Sequence, residues 1–290
     1  VKSAFRITHP DRIVYPDAGV TKGQIANYYI EVADWILPHV TNRPLVLVRC
    51  PEGLAAGCFY QKHPPVGMPS SVQQISIREK TETRRYAVVQ DLEGLIALVQ
   101  FGTLEIHAWG SPTGDIERPD RMIFDLDPDP AVSWHEVVEA AFLVRDNLKR
   151  LRLTSFVKTT GGKGLHIVVP LAQKQTWPEV KQFTRDFADS MVAAAPHRYI
   201  ATMSKAARRG KIFVDYLRNE RGATSVVPYS TRAKPGASVS MPITWAELST
   251  QKGPQQYSVK NAVERLKKLR SDPWREIWRV RQSLPPGRKR

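Results

Sequence analysis

A mixed α/β fold is predicted for this chain of 290 residues, and three features of the sequence predict it. Short β-branched runs alternate with stretches whose apolar residues recur at helical spacing. The 22 prolines act as punctuation between short elements, and 42% hydrophobic residues are enough to fill a core. No repeat period and no long low-complexity tract is present.

The first helix is signalled by Thr21-Lys22-Gly23-Gln24, which has the Thr-x-x-Gln spacing of a capping box. Ile25, Tyr28, Tyr29, Val32 and Ile36 then recur at helical intervals, so one helix is predicted over 22–37. Residues 44–49 and 86–89 are short β-branched runs, while 92–101 is apolar enough to be a buried helix or a buried strand. A strand over 121–127 ended by Pro128, a helix over 133–148 and a strand over 155–158 follow. Gly161-Gly162-Lys163-Gly164 turns into the β-branched 165–169, ended by Pro170, and reads as a hairpin. A helix over 178–195, a strand over 211–217 and two terminal helices over 258–269 and 273–281 complete the chain, the last with Asp272 as cap and Pro273 as first residue.

The 43 Lys and Arg against 28 Asp and Glu leave a formal charge of +15, which points to a polyanionic partner, nucleic acid first. No apolar run is long enough to span a bilayer and no secretory signal pattern opens the chain, so no membrane partner is expected and a cytosolic protein is. Cys50 and Cys58 support neither a disulfide framework nor a zinc ribbon, and are expected as two reduced, partly buried thiols. The chain opens at Val1 without an initiator Met and stops on Arg288-Lys289-Arg290, as expected of a domain excised from something longer.

On a strand, residues i and i+2 share a face, so Asp125 and Asp127 project side by side while Phe124 and Leu126 face the other layer. Adjacent carboxylates repel unless a cation lies between them, and Asp-x-Asp-Pro at the end of an apolar strand suggests Mg²⁺ or Mn²⁺. A solvated strand-end turn is the alternative, since Asp and Pro favour turns. Ile212-Phe213-Val214-Asp215 repeats the form. If the strands are neighbours, three carboxylates converge and can hold two ions about 3.5–4 Å apart, which suits in-line phosphoryl transfer.

Lys158 to His166 invites a phosphate-loop reading, but Gly164 follows Lys163 where a Walker A motif needs Ser or Thr, and a strand follows in place of a helix. A hairpin carrying Thr160, Lys163 and His166 beside the acids fits a grip on a triphosphate, or else a tight turn with a chance His. Lys22 at a helix N-terminus, with His9 and Arg12 upstream, fits a second phosphate site through free amides and the helix dipole, or a solvated first turn equally well. Phe59 and Tyr60 read as a stacking platform for a base or as core aromatics, and His107 beside Trp109 as functional or structural. Arg218, Arg232 and the run from Ser204 to Lys211 add charge near the third acid, although such a run is commonly only solvated.

Ile123-Phe-Asp-Leu-Asp-Pro-Asp-Pro130, Lys158 to His166 and Phe213-Val-Asp-Tyr216, in this order and spacing, resemble the polymerase domain of bacterial ligase D. Thr8-His-Pro-Asp-Arg-Ile-Val-Tyr-Pro16 and Thr21-Lys-Gly23 resemble it as well, so the likeness covers essentially the whole chain. It implies an archaeo-eukaryotic primase-like core, with mixed β-sheets flanked by helices. It also implies a DNA/RNA nucleotidyltransferase that performs templated gap filling and non-templated addition at DNA ends in bacterial non-homologous end joining. Two ions of Mn²⁺ or Mg²⁺, NTP or dNTP substrates with ribonucleotides preferred, gapped DNA with a 5′-phosphate, and the Ku protein come with that resemblance.

Carried over, Asp125 and Asp127 would bind both ions and Asp215 the one nearest the primer hydroxyl. His166 and Arg232 would contact the triphosphate, with Thr160 close by and Lys163 and Arg218 in the same nucleotide site. Lys22, with His9 or Arg12, would take the downstream 5′-phosphate, Phe59 would stack, and His107 would lie near the metal and primer terminus. The wider superfamily often has Ser where Gly164 stands, so no Ser contact is expected there. In relatives the domain is tethered to an ATP-dependent ligase and often a phosphoesterase, whereas this chain has no Lys-x-Asp-Gly motif. The expected layout is a single domain in three blocks: 1–110 with the end-phosphate site, 111–257 as catalytic core, and 258–290 as basic helices. A metal-dependent sugar transferase would share Asp-x-Asp without needing the charge surplus, and a non-catalytic end-bridging module would explain the charge while leaving the acids idle.

Overall fold

The computed structural model describes residues 7–204 and 206–286; Lys205 of the basic run and the closing Arg288-Lys289-Arg290 lie outside them. Two compact units share the chain: Val1–Gly114, Thr224–Met241 and Tyr257–Asp272 form the first, and Asp115–Ala223, Pro242–Gln256 and Pro273–Arg290 the second. The units are thus not three consecutive blocks, because the chain returns to the first after leaving it. Among the described residues no helix is long and apolar enough to cross a membrane.

In chain order the first unit opens with the ribbon β1 (Ile13–Tyr15) and β2 (Val20–Thr21), then α1 (Lys22–Glu31) and α2 (Ala33–Val40). The predicted capping box is present, with the Thr21 hydroxyl accepting from Gln24 N and the Gln24 side chain from Thr21 N. The single helix expected over 22–37 is broken at Val32, whose ψ opens to 13°. The break lets two stripes turn inward separately, Ile25, Ala26, Tyr28 and Tyr29 on α1, and Ala33, Ile36, His39 and Val40 on α2. β3 (Leu45–Arg49), β4 (Phe59–Gln61), β5 (Gln73–Arg78), β6 (Thr83–Val88), α3 (Leu92–Gln100) and β7 (Thr103–Trp109) follow. The apolar stretch from residue 92 is a helix because Asp91 caps it, accepting from Gly94 N at 2.9 Å, and Gly94 through Val99 are all buried.

Cys50 and Cys58 are joined in a disulfide, which corrects the expectation of two free thiols. Antiparallel pairing of Arg49 with Phe59 places the two cysteines opposite each other one residue further on, with Cα atoms 4.4 Å apart. Strand pairing, which the spacing alone does not reveal, makes the bridge possible.

The second unit opens with β8 (Arg121–Pro128), α4 (Trp134–Arg150), β9 (Phe156–Thr159), β10 (Leu165–Pro170), α5 (Trp177–Ala194), β11 (Tyr199–Ile200) and β12 (Ile212–Asp215). Ser133 with Glu136, and Thr176 with Glu179, box the starts of α4 and α5. β13 (Thr224–Val226) belongs to the first unit, β14 (Pro242–Ile243) and α6 (Trp245–Leu248) to the second, and α7 (Ala262–Lys268) to the first. The helix expected over 273–281 reduces to one 3-10 turn, Arg275–Trp278. Its intended cap is engaged elsewhere, since the Asp272 carboxylate accepts from the Tyr229 hydroxyl at 3.1 Å. The buried Trp274 indole donates to Val157 O at 2.9 Å and anchors the segment.

The first unit's sheet runs β13-β7-β3-β6-β5 with β4 also paired to β3, all antiparallel. The second unit's sheet runs β11-β12-β8-β10-β9-β14, antiparallel apart from β11 with β12. Phe124 of β8 meets Phe187 of α5 at 4.6 Å between ring centres, so α5 covers that face. On the opposite face, Ile123 and Val168 are covered by Trp274 and Ile277, with Phe156 packed alongside. Two residues further along β8 the same face carries Asp125, then Asp127.

Candidate active site

Strand register, in the second unit, builds a row of polar groups across four strands. Asp215 of β12 lies opposite Asp125 of β8, Asp125 opposite His166 of β10, and His166 opposite Lys158 of β9. Opposed residues of antiparallel strands point to the same face, so the four side chains stand side by side. The condition on which the sequence argument rested, that the two acid-bearing strands be neighbours, is met. Asp127 shares the face, one step along β8 and opposite Phe213.

Two arginines meet these acids. Arg218 Nε lies 3.3 Å from Asp125 Oδ2 and 3.3 Å from Asp215 Oδ2, while Arg208 Nη1 lies 3.3 Å from Asp127 Oδ2. Among the described residues no three His, Cys, Asp or Glu side chains are gathered as a metal cage. The three expected ligands therefore share a face without converging: Asp127, 47% exposed, is turned to Arg208, and Arg218 sits at the other two. The donor chemistry nevertheless fits a hard divalent cation, because all three are carboxylates and two of them are buried and repel each other. Burial and then the Asp125 charge push the Asp215 carboxyl up, and Arg218 only partly offsets them. Burial also opposes charge on Asp125, but His166, Arg218 and Lys158 outweigh it and hold that carboxyl well below the usual range.

His166 Nε2 lies 3.4 Å from Asp125 Oδ2. Burial, reinforced by the Lys158 charge, lowers its imidazole to about 4, so it is neutral near pH 7 and the contact is a hydrogen bond from imidazole to carboxylate. Its other nitrogen, Nδ1, is buried without a hydrogen-bond partner. Thr160 is turned into its own hairpin, its hydroxyl donating to Gly164 O and accepting from Gly162 N, both at 3.1 Å. Lys163, exposed at the tip, lines a cleft of about 520 Å³ with Pro128, Pro130, Val132, Trp134 and Lys252. Gly164 is dictated by packing: a Cβ there would overlap the Leu126 carbonyl oxygen of β8, which explains why no Ser stands at this position.

Arg232 and His107, expected at the nucleotide and primer terminus, belong to the first unit and meet at a residue the sequence reading missed. Glu105 lies 2.6 Å from His107 Nε2 through Oε1, and 2.9 Å from Arg232 Nε through Oε2. Glu-x-His on an apolar strand was the available signal, since period-two geometry puts both on one face. Burial would raise the Glu105 carboxyl, but the His107 hydrogen bond and the Arg232 charge outweigh it and hold it at about 2. A folded pKa below the ordinary 4.5 means that this stabilisation is complete above pH 4.5 and is lost as pH falls through 2. Glu105→Gln is expected to lower stability at pH 7 by on the order of 3 kcal/mol. It should also flatten the decline below pH 4.5, in thermal melts recorded between pH 2 and 7. An unchanged pH slope would count against the cluster.

The expected phosphate patch is a side-chain patch. The first helix amides are taken, Lys22 N by Arg12 O and Gly23 N by Pro10 O, each at 2.8 Å, so the free-amide argument fails there. Lys22 Nζ donates to Thr8 O and Gln100 Oε1, and Arg12 Nη1 to Pro51 O. Burial, then the neighbouring Arg12 charge, lowers the Lys22 pKa, a strain that an anion would relieve. His9 is exposed beside them in a left-handed conformation, φ 51°. Phe59 and Tyr60 are surface aromatics, 47% and 66% exposed, and not core. Arg49 stacks 5.5 Å from the Phe59 ring centre and Tyr60 lies 5.6 Å from His107.

The second unit thus presents carboxylates registered across neighbouring strands beside a glycine hairpin, in a chain of charge +15. The family model described as "LigD, primase-polymerase domain" matches residues 21–274. The chain belongs to that family. It is 37% identical over 289 residues to the Multifunctional non-homologous end joining protein LigD of Pseudomonas aeruginosa, covering 99% of this chain and 34% of that one. The protein of the same name from Mycolicibacterium smegmatis is 35% identical, over 84% of this chain and 32% of its own. This chain thus spans about a third of the length of these relatives. Among solved structures, the Polymerase Domain from Mycobacterium tuberculosis Ligase D in complex with DNA superposes with a TM-score of 0.87 at 29% identity, covering 94% of this chain and 97% of that one.

Proposed function

We propose that this chain transfers nucleotidyl groups to DNA 3′ ends, in templated gap filling and in non-templated addition, during bacterial non-homologous end joining. The observation that carries this reading is the pairing of Asp215 with Asp125 on adjacent strands, with Asp127 on the same face. Family membership over residues 21–274 and the likeness to a polymerase domain solved with DNA support it. Asp125, Asp127 and Asp215 would hold two divalent ions, Mn²⁺ or Mg²⁺, which supply activation of the primer hydroxyl and neutralisation of phosphate charge. Neutral His166 orients Asp125 through its Nε2 and offers Nδ1, and Lys163 at the hairpin tip meets the anionic substrate, an NTP or dNTP with ribonucleotides preferred. Arg12 and Lys22, with His9 beside them, take a downstream 5′-phosphate, and exposed Phe59 stacks on a base. Ku, and ligase and phosphoesterase domains of a longer parent chain in the bacterial cytoplasm, are the proposed partners.

The test is nucleotide addition to a gapped primer carrying a downstream 5′-phosphate, with Mn²⁺ and ATP or dATP. Extension is expected, and removal of the 5′-phosphate is expected to weaken DNA binding about tenfold at low salt. Tight, salt-sensitive DNA binding without any addition in Mn²⁺ or Mg²⁺ would favour an end-bridging module instead.

A further inference from the structure

Phe213 faces Asp127 and Asp215 faces Asp125, so a continued β12 would have brought residue 217 opposite Ile123. The chain instead leaves the sheet at Tyr216 (φ −94°, ψ −7°) and enters the 3-10 turn Leu217–Asn219. The Ile123 backbone N–H and C=O would then be bare inside the protein, a costly arrangement. Asn219, 1% exposed, serves both: Oδ1 accepts from Ile123 N at 2.7 Å and Nδ2 donates to Ile123 O at 2.7 Å. Nδ2 also donates to Tyr216 O at 2.9 Å. One side-chain amide thus stands in for a strand residue and pins the turn to β8 two residues before Asp125.

Within the pinned turn, Leu217 N donates to Asp215 Oδ1 at 2.8 Å, and Arg218 reaches both Asp125 and Asp215. We infer that Asn219 is a positioning residue of the site, which orients Asp215 and holds Arg218 at the acid pair. The inference rests on the reading of those acids as metal-holding groups. Few side chains can replace it, because an amide alone places an acceptor and a donor at this reach without charge.

The experiment compares the parent with Asn219→Ser and Asn219→Ala, each checked for the parent far-UV circular dichroism at 15 °C. Free Mn²⁺ is measured by electron paramagnetic resonance without nucleotide, and the Arg218 Nε–H resonance is followed in metal-free protein by ¹⁵N spectroscopy. Both variants are expected to bind Mn²⁺ about tenfold more weakly and to move the Arg218 resonance toward that of solvent-exposed arginines, with Asn219→Gln recovering part of each. A folded variant with a lowered Tm but the parent Mn²⁺ affinity and Arg218 resonance would overturn the inference. Should the parent bind no Mn²⁺, the metal reading fails, and the Arg218 resonance in metal-free protein still decides whether Asn219 positions that side chain. If Asn219→Ala does not fold, Asn219→Ser and Asn219→Gln decide it.

Discussion

Asp125→Asn is expected to reduce nucleotide addition by about a thousandfold or more while changing DNA affinity by less than about twofold. Asp125 is the centre of the row, opposite both Asp215 and His166, and it shares Arg218 with Asp215. Asparagine keeps the shape and an oxygen for the His166 contact but removes the charge that a divalent ion requires. The loss therefore belongs in kcat, measured by single-turnover extension in saturating Mn²⁺, and not in the binding isotherm. Asp215→Asn and Asp127→Asn should behave alike, since the same reading gives each a carboxylate at the ions and Asp127 must first part from Arg208 to reach them. Parent-like extension by Asp125→Asn would remove these acids from the chemistry.

Gly164→Ala is expected to be the most damaging single change to the second unit, lowering stability by about 3 kcal/mol or more. The added methyl would overlap the Leu126 carbonyl oxygen, a backbone atom that cannot swing aside, and Pro128 Cδ stands 3.3 Å away. Relief requires β10 to move off β8, which separates His166 from Asp125. A fall in Tm on the order of 10 °C should therefore come with weakened Mn²⁺ binding in the fraction that remains folded. Gly164→Ser, which would restore the pattern common in the wider superfamily, should be as harmful. Equal melting of parent and Gly164→Ala would count against the close approach of Gly164 to the Leu126 carbonyl.

Local chemistry was legible where it is written in neighbouring residues. The Thr21–Gln24 box, the strand leading into Asp125 and Asp127, and the 161–164 turn are signalled within a few positions, because caps, strand alternation and glycine turns are short-range effects. The helix break at Val32 was not legible, since the 3.6-residue pattern runs on across it and only the directions of the two buried stripes demand it. Nor was the fate of Asp272, which signals a helix cap locally and is claimed by Tyr229 from a distant segment.

The sequence by itself determined the alternation of strands and helices, the basic charge, and the delivery of single acids at strand ends, because composition and periodicity are properties of the chain alone. Tertiary structure decided which groups meet. It brought Cys50 against Cys58, placed Glu105 between His107 and Arg232, and used Asn219 to finish a strand that had already turned away. The disulfide and the Asn219 contacts depend on strand register, which is fixed by burial and backbone pairing over many residues, and Arg232 reaches Glu105 from a distant segment of the chain.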